Sequence, residues 1–360
     1  MKKKICVVII NRANYARIKH FLLEVKKNKK IKLQIILGAS AHLKRFGDIQ
    51  DIIKKDGLKV DQKVYTSLEG ENPTTMAKST GLAIIELATC FDKLQPDIVL
   101  TVADRYETLA TAIAASYMNI FLAHTQGGEV TGSIDESVRH AITKLSHIHF
   151  VSNKRAYDYV IKLGEQKKRV FLTGCPSIDI LKNINLKKIH KEIVSKDIFT
   201  GTGSVFNLNK DYIILMQHPV TTEYKKAKSQ IKETIKAANI LSKKIQIIWL
   251  WPNIDAGSDI FSKEIRSFRE KLSPSNIYFH KNFSAEHYAY LLSRARCIFG
   301  NSSSAIREGS YFGTPAVNIG NRQFGREISK NVINVDYKYT NIVKAVNKQI
   351  KQKKYKKSFL

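Results

Sequence analysis

The sequence predicts an α/β protein of two Rossmann-like halves, each a doubly wound parallel sheet. Three observations predict it. Short runs such as 5–10 (ICVVII) and 212–216 (YIILM) are apolar at every position, which suits strands buried on both faces rather than strands with one wet face. These runs alternate with amphipathic stretches of helical length, the pattern of a parallel sheet crossed over by helices. Polar and glycine-containing motifs follow the runs directly, at the expected carboxyl ends of the strands, where such sheets bind ligands.

Taken in order, strand 5–10 leads into Asn11-Arg12-Ala13-Asn14 and an amphipathic helix to about residue 24. Strand 31–37 ends in Gly38-Ala39-Ser40-Ala41-His42, and a helix and a short strand at 58–65 follow. After a polar loop at 69–74 comes a long helix, 75–94, then strand 97–102 ending at Ala103-Asp104-Arg105. Helix 107–117 and strand 119–122 lead to the richest stretch of the chain, AHTQGGEVTGSIDESVRHAITKLSHIHF at 123–150. There a glycine pair lets the backbone approach a partner closely. Ser133 or Asp135 can cap a helix on which Asp135 and Arg139, four apart, share a face. Strands 148–152 and 170–173 complete the first half. The span 182–210 is weakly periodic and reads as a linker or mobile loop; its Gly201-Thr202-Gly203-Ser204 lacks the lead-in strand of a phosphate motif.

The second half repeats the alternation. Strand 212–216 ends in Gln217-His218-Pro219, and helix 223–241 follows. Strand 245–250 ends in Trp251-Pro252-Asn253-Ile254-Asp255 and helix 258–271 follows. Strand 276–280 and helix 285–293 precede strand 297–299, which ends in Gly300-Asn301-Ser302-Ser303-Ser304. Helix 305–312 and strand 316–319 lead to Gly320-Asn321-Arg322-Gln323. The expected division is 1–180, 181–338 and 339–360. The last segment holds a helix at about 339–352, expected to pack back toward the first domain, and a basic tail expected to fray or to solubilise the end.

Composition fits a cytoplasmic globular protein. Of 360 residues 43% are hydrophobic and 25% charged, enough to bury sizeable cores. The four cysteines are scattered, form no C-x-x-C and sit in or beside apolar runs, as buried reduced thiols do. The apolar run after the N-terminal lysines stops at Asn11-Arg12, too short for a signal peptide, and none is long enough for a membrane span. The net charge of +29 is spread along the chain as on solvated helix faces. No nucleic-acid-binding motif accompanies it, so no specific nucleic acid and no membrane is expected as partner.

The chemistry follows from the strand ends. Gly300-Asn301-Ser302-Ser303-Ser304 before a helix offers exposed N–H groups, hydroxyls and a positive helix end to a phosphate; an ordinary N-cap is the plainer reading. Glu308, on the same helix, suits two sugar hydroxyls better than a phosphate. Arg12, Arg105, His218 and Arg322 are cations able to grip a diphosphate, arginines standing here in a lysine-rich chain. His42, Asp104, His124, Glu129 and Asp135 are the candidate acids and bases. Metal chemistry is not expected: His147 and His149 lack a third ligand, and neither H-E-x-x-H, a P-loop nor G-x-S-x-G occurs.

Six motifs together make the chain resemble a known family over roughly residues 5–335. They are Ala103-Asp104-Arg105-Tyr106-Glu107; GGEVTGSIDE at 127–136 with Arg139-His140; Gln217-His218-Pro219-Val220-Thr221-Thr222; Pro252-Asn253-Ile254-Asp255-Ala256-Gly257-Ser258; Gly300-Asn301-Ser302-Ser303; and Gly320-Asn321-Arg322-Gln323 with Gly325-Arg326-Glu327. The chain resembles the hydrolysing UDP-N-acetylglucosamine 2-epimerases, which make precursors of sialic acids. The resemblance implies a GT-B-like fold, two Rossmann-like doubly wound parallel-sheet domains with a cleft between. It implies no cofactor or metal, and a homodimer or homotetramer. It assigns UDP to Arg12, Arg105, His218, Asn253, Ser302, Ser303, Glu308 and Arg322. The catalytic candidates are His42, Asp104, Arg105, Gln126, Glu129, Asp135 and Arg139. Two departures stand out: Ile10-Asn11-Arg12 replaces the usual Gly-Thr-Arg, and Gln126 stands where the family usually has a carboxylate.

The implied reaction converts UDP-N-acetylglucosamine to UDP and free N-acetylmannosamine through a glycal. The alternative is the same chemistry on UDP-2,4-diacetamido-2,4,6-trideoxyglucose, toward legionaminic acid. More distant readings are a non-hydrolysing epimerase, a GT-B glycosyltransferase and a non-catalytic binding protein.

Overall fold

A computed structural model describes residues 2–43, 49–195, 198–253 and 255–358. Ile254, in the fourth motif, lies outside the described residues. The chain divides into two compact units, Met1–Ile180 and Leu181–Leu360.

The first unit runs β1 (Lys3–Ile9), α1 (Arg12–Lys27), β2 (Ile31–Leu37), a 3-10 turn (Ala39–His42), α2 (Gln50–Lys55), β3 (Gln62–Lys63), α3 (Pro73–Leu94), β4 (Ile98–Val102), α4 (Tyr106–Tyr117), β5 (Phe121–Thr125), α5 (Ile134–Leu145), β6 (Ile148–Val151), α6 (Lys154–Lys162), β7 (Val170–Leu172) and the start of α7 (Pro176–Asn183). Its seven strands lie in the order β3-β2-β1-β4-β5-β6-β7, every pairing parallel. Both faces carry a core. Cys6, Val8 and Ile36 join Leu87 and Phe91 of α3 on one side, while Val7, Ile9 and Leu37 join Ile18 and Leu22 of α1 on the other. That explains why β1 is apolar at successive positions: alternate side chains enter opposite cores.

The second unit runs α8 (Leu186–Ser195), β8 (Thr202–Gly203), β9 (Tyr212–Met216), a 3-10 turn (Thr221–Lys226), α9 (Ala227–Ser242), β10 (Gln246–Leu250), α10 (Ser258–Leu272), β11 (Ile277–His280), α11 (Ala285–Arg294), β12 (Cys297–Gly300), α12 (Ser303–Phe312), β13 (Ala316–Ile319), β14 (Val332–Val335) and α13 (Tyr339–Ile350). Its sheet is ordered β14-β13-β12-β9-β10-β11-β8. All pairings are parallel except the edge pair β11–β8. In both units the strand order reverses beside the first strand of the unit's parallel run, between β1 and β4 and between β9 and β12. In a doubly wound sheet this is the crevice where ligands bind.

Several expectations are corrected. The strand at 58–65 shrinks to Gln62–Lys63, because the Asp61 carboxylate itself accepts the Ile35 N–H at 2.8 Å and ladder pairing starts only after it. The span 182–210 is no linker: α8 buries Ile189 and Ile193 in the second unit's core and β8 extends its sheet. The polar residues between those isoleucines, His190, Lys191 and Glu192, masked a helical spacing. Strand β14 had no counterpart in the expected elements. Helix α13 sends Ile342, Ala345 and Val346 into the second unit's own core.

Nor does the tail fray. The N–H of Tyr355 donates to Gly313 O at 2.8 Å and that of Ser358 to Ser310 O at 3.0 Å. Lys354 is exposed as a whole residue, yet its ammonium donates to Ala295 O (3.1 Å) and Thr314 Oγ1 (2.7 Å). Burial pulls its pKa from 10.5 to about 8; the buried Cys297 thiol opposes this and Arg296 adds to it. The folded state therefore binds this proton less tightly than the unfolded chain. The lysine is a liability below pH 8, relieved as pH rises from about 8 toward 10.5. The melting temperature of the wild type should thus gain on that of Lys354→Met between about pH 7 and pH 10. Parallel melting curves would argue against a displaced Lys354 titration.

Candidate functional site

In the first unit the switch point is closed by a buried asparagine. Asn11 caps α1 by accepting the Asn14 N–H at 2.8 Å. Asn14 in turn reaches across to Val102 O at 3.4 Å, tying the end of β1 to the end of β4. Arg12, the first residue of α1, and Asp104 and Arg105, just past β4, are thereby held beside the crevice.

Beyond β5 the chain turns sharply. Gln126 has φ +63° and donates its N–H to Phe150 O at 2.9 Å. Gly128 has φ +77°, and a Cβ there would lie 2.2 Å from Ala156 O, so only glycine fits. Arg139 is 1% exposed. It comes off α5 and donates both to the Asp104 carboxylate and to Glu129 O, fastening the 127–131 loop to the turn after β4. The Glu129 carboxylate accepts from Ser152 Oγ at 3.0 Å. Ser133 occupies the N-cap position of α5 without a side-chain cap bond; Glu136 holds the loop instead, accepting the Thr131 N–H at 2.6 Å. Asp135 sits half-buried in the first turn of that helix.

His124 departs from expectation. His124 is fully buried: Nε2 lies 2.9 Å from Ala103 O and Nδ1 3.3 Å from Thr143 Oγ1, and burial lowers its pKa to about 4. It props the positive-φ turn at Ala103 and is too enclosed to serve as an acid or base. His147 Nδ1 accepts the Leu122 N–H and His149 meets Glu165, so each has a structural partner. Among the described residues no His, Cys, Asp and Glu cluster suits a metal. Arg105 forms a two-pronged pair with buried Glu107 at 3.0 and 3.1 Å, and Glu107, in the first turn of α4, suits the positive helix end. His42, in the 3-10 turn after β2, meets the Tyr65 ring edge-on, centroids 4.6 Å apart. Gln126 is 1% exposed; its amide nitrogen lies 3.4 Å from Cys175 Sγ, and its Oε1 is buried with no partner among the described residues.

The second unit is built around Asn301, fully buried just past β12. Its Oδ1 accepts the His218 N–H and its Nδ2 donates to His218 O, both at 2.7 Å. That is a two-bond rung across the β9–β12 switch point. Gly300 before it has φ +129°, and a Cβ would stand 2.0 Å from Met216 O. The Asn253 N–H donates to His218 Nδ1 at 3.1 Å, so the neutral imidazole carries its proton on Nε2, as a donor. Arg322 Nη1 (3.2 Å) and Gln323 Nε2 (2.9 Å) donate to Asn301 O. The loops after β9, β10, β12 and β13 thus converge on one asparagine and its neighbours. Ser302 caps α12 by accepting the Ser304 N–H, Ser303 opens the helix, and Ser304 Oγ meets Tyr288 OH at 2.6 Å. Glu308 Oε2 is buried with no partner among the described residues.

Sequence reasoning placed Asn301, Asn14, Glu107 and Gln323 in strand-end motifs without giving them a role. Asparagine directly after a strand-ending glycine was the available signal; the others required the register of the sheets.

A double-mutant cycle tests the buried pair. Asp104→Asn and Arg139→Met should each cost about 3 kcal/mol of unfolding free energy, since each strands a partner that has little access to water. The double variant should cost at least ~1 kcal/mol less than their sum. Simple additivity in denaturant titrations would mean that the two side chains are not coupled.

With this geometry in view, the similarities to known proteins can be placed. The family model described as UDP-N-acetylglucosamine 2-epimerase matches residues 23–359. A GDP/UDP-N,N'-diacetylbacillosamine 2-epimerase (hydrolyzing) of Campylobacter jejuni is 34% identical over 334 residues, 92% of this chain and 84% of that protein. A UDP-N,N'-diacetylbacillosamine 2-epimerase (hydrolyzing) of Legionella pneumophila is 32% identical over 358 residues, 99% of this chain and 92% of that protein. The crystal structure of Methanocaldococcus jannaschii UDP-GlcNAc 2-epimerase in complex with UDP-GlcNAc and UDP shares the fold, with TM-score 0.80 at 18% identity, covering 98% of this chain and 94% of that one. The two doubly wound sheets, their matching switch points and the near full-length family match lead to one conclusion: the chain belongs to the UDP-N-acetylglucosamine 2-epimerase family.

Proposed function

We propose that the protein is a hydrolysing 2-epimerase whose substrate is UDP-2,4-diacetamido-2,4,6-trideoxyglucose, releasing UDP and the free C2-inverted sugar. The reaction class is supported by the polar cluster at each switch point, one rich in carboxylates around Arg139 and one rich in anion-binding donors around Asn301. The sugar is supported by two relatives above 30% identity, both described as diacetylbacillosamine 2-epimerases. A second reading, UDP-N-acetylglucosamine, is favoured by the description of the family model itself.

The C2 hydrogen is not next to a carbonyl and is not acidic at the outset. Cleavage of the C1–O bond therefore runs ahead of proton loss. The bonding electrons leave with UDP, C2 gives up its proton, and a 2-acetamidoglucal forms. Water then adds across the double bond, its oxygen to C1 and a proton to the opposite face of C2. The main catalytic task is stabilising the departing diphosphate with donors fixed in advance. The His218 Nε2–H, the start of α12 at Ser302 and Ser303, Arg322, Arg12 and Arg105 suit it, while Glu308 suits the ribose hydroxyls and Asn253 holds His218. Proton transfer falls to His42, Asp104, Glu129 and Asp135, with Arg139 orienting Asp104. Gln126 is an amide and cannot accept the C2 proton near neutral pH, so it orients the sugar. We place the enzyme in the cytoplasm, where buried thiols such as Cys6 and Cys297 stay reduced, as a homodimer or homotetramer. Among the described residues no helix is long and apolar enough to cross a membrane.

A time course by NMR in D2O, with each of the two UDP sugars in separate tubes, tests the proposal. Free UDP and a C2-deuterated manno sugar should appear with the diacetamido substrate. Turnover of UDP-N-acetylglucosamine alone would move the assignment to the second reading. A UDP-linked product would mark a non-hydrolysing epimerase, and turnover only with an added acceptor a transferase. In the same assay Arg105→Ala should lower kcat more than Asn253→Ala does; the reverse order would count against leaving-group stabilisation as the main task.

A further inference from the structure

The segment 351–358 lies along the far end of α12, the helix whose first turn contains Ser302 and Ser303. At that end backbone N–H groups of the tail reach two carbonyls, that of Ser310, which also accepts the Gly313 N–H, and that of the C-cap residue Gly313. Tyr355 donates to Gly313 O at 2.8 Å and Ser358 to Ser310 O at 3.0 Å. The approach is close: Gly313 has φ +65°, and a Cβ on it would fall 1.9 Å from Tyr355 O.

Side chains fix the segment on both flanks. Lys354 donates to Ala295 O and Thr314 Oγ1. Tyr355 OH donates to Gln349 Oε1 at 2.9 Å. Gln349, fully buried, donates to Ala316 O (2.9 Å) and Asn331 O (2.8 Å). Asn331 in turn accepts from Ser310 Oγ (2.8 Å) and donates to Thr314 O (2.8 Å). A buried amide network thus links the tail to α12 and to the strand that follows it. None of these groups lies among the residues assigned to UDP.

We propose that residues 353–358 are a positioning strap for the nucleotide site, fixing the C-terminal end of α12 so that its Ser302–Ser303 end keeps its aim at the diphosphate. This rests on the reading of that helix start as the UDP site. The strap contributes no atom to the ligand. It acts by raising the fraction of molecules in the binding-competent arrangement, and a tenfold loss of affinity corresponds to that fraction falling to about one-tenth.

The test is UDP binding by calorimetry to the full chain, to a chain ending at Gln352, and to Lys354→Met. Val346→Ala, a core change in α13 away from the strap, is the control for general loss of stability. Circular dichroism and melting curves establish that each is folded. The truncated chain should bind UDP about tenfold more weakly, Lys354→Met by an intermediate factor, and Val346→Ala within about twofold of the full chain. For the substrate, KM should rise more than kcat falls. If the folded truncated chain binds UDP as the full chain does, or if Val346→Ala weakens binding as much, the strap proposal is overturned while the nucleotide site stands. A full chain that binds no UDP overturns the site assignment and the strap with it.

Discussion

Everything the second unit offers to a ligand depends on one side chain, the buried amide of Asn301. Its two 2.7 Å bonds to the His218 backbone satisfy both ends of the amide and both polar groups of the residue opposite. No longer or shorter side chain could repeat that rung, and leaving any of the four groups unpaired inside the unit would cost about 1–3 kcal/mol. The consequence is chemical as well as structural. With the His218 backbone fixed, its imidazole meets the Asn253 N–H, and that contact decides which ring nitrogen carries the proton. With the Asn301 carbonyl facing Arg322 and Gln323, the loop after β13 is gathered to the same place. A crevice that fold topology merely opens is thereby lined with donors of fixed direction, as stabilising a leaving diphosphate demands.

The first unit meets the same constraint differently. Its switch point is tied by Asn14, a single longer bond to Val102 O, and the weight falls on Arg139. A buried guanidinium is costly unless its donors are met, and Asp104 and Glu129 O meet them from two separate loops. The result holds one carboxylate in place and the 127–131 loop against it. Each unit thus meets the cost of burying polar groups at its own switch point, one with a backbone rung and the other with an ion pair.

Much of this was legible in the sequence, for identifiable reasons. Strands buried on both faces wrote themselves as unbroken apolar runs, so β9 was found to the residue and β1 to within two. Motifs at strand ends were legible because a parallel sheet collects them on one edge. What failed did so where a local signal was diluted or replaced. The isoleucines of α8 were hidden among polar residues, and Asp61 mimicked a ladder bond and shortened β3. The tail read as fraying because its lysines look solvated, yet its backbone N–H groups, which leave no mark in a sequence, dock on α12. His124 looked like an acid or base because histidine at a strand end often is one; that Ala103 O and Thr143 enclose it depends on strands and helices far apart in sequence.

Gln126 draws these threads together. Its backbone is pinned at positive φ by Phe150 O, and one end of its amide rests on Cys175. The side chain therefore has little freedom to swing, and the unpartnered Oε1 has a fixed direction. A carboxylate at this place would bury a negative charge beside the Cys175 thiol, with no cation against it among the described residues. An amide of nearly the same shape keeps the hydrogen-bonding oxygen and removes the charge. In the proposed reaction this divides labour: the neutral group orients an acetamido sugar while the remaining carboxylates move the C2 proton. The exchange of charge for orientation is tolerable because departure of UDP, not the strength of the base, sets the main demand on the site.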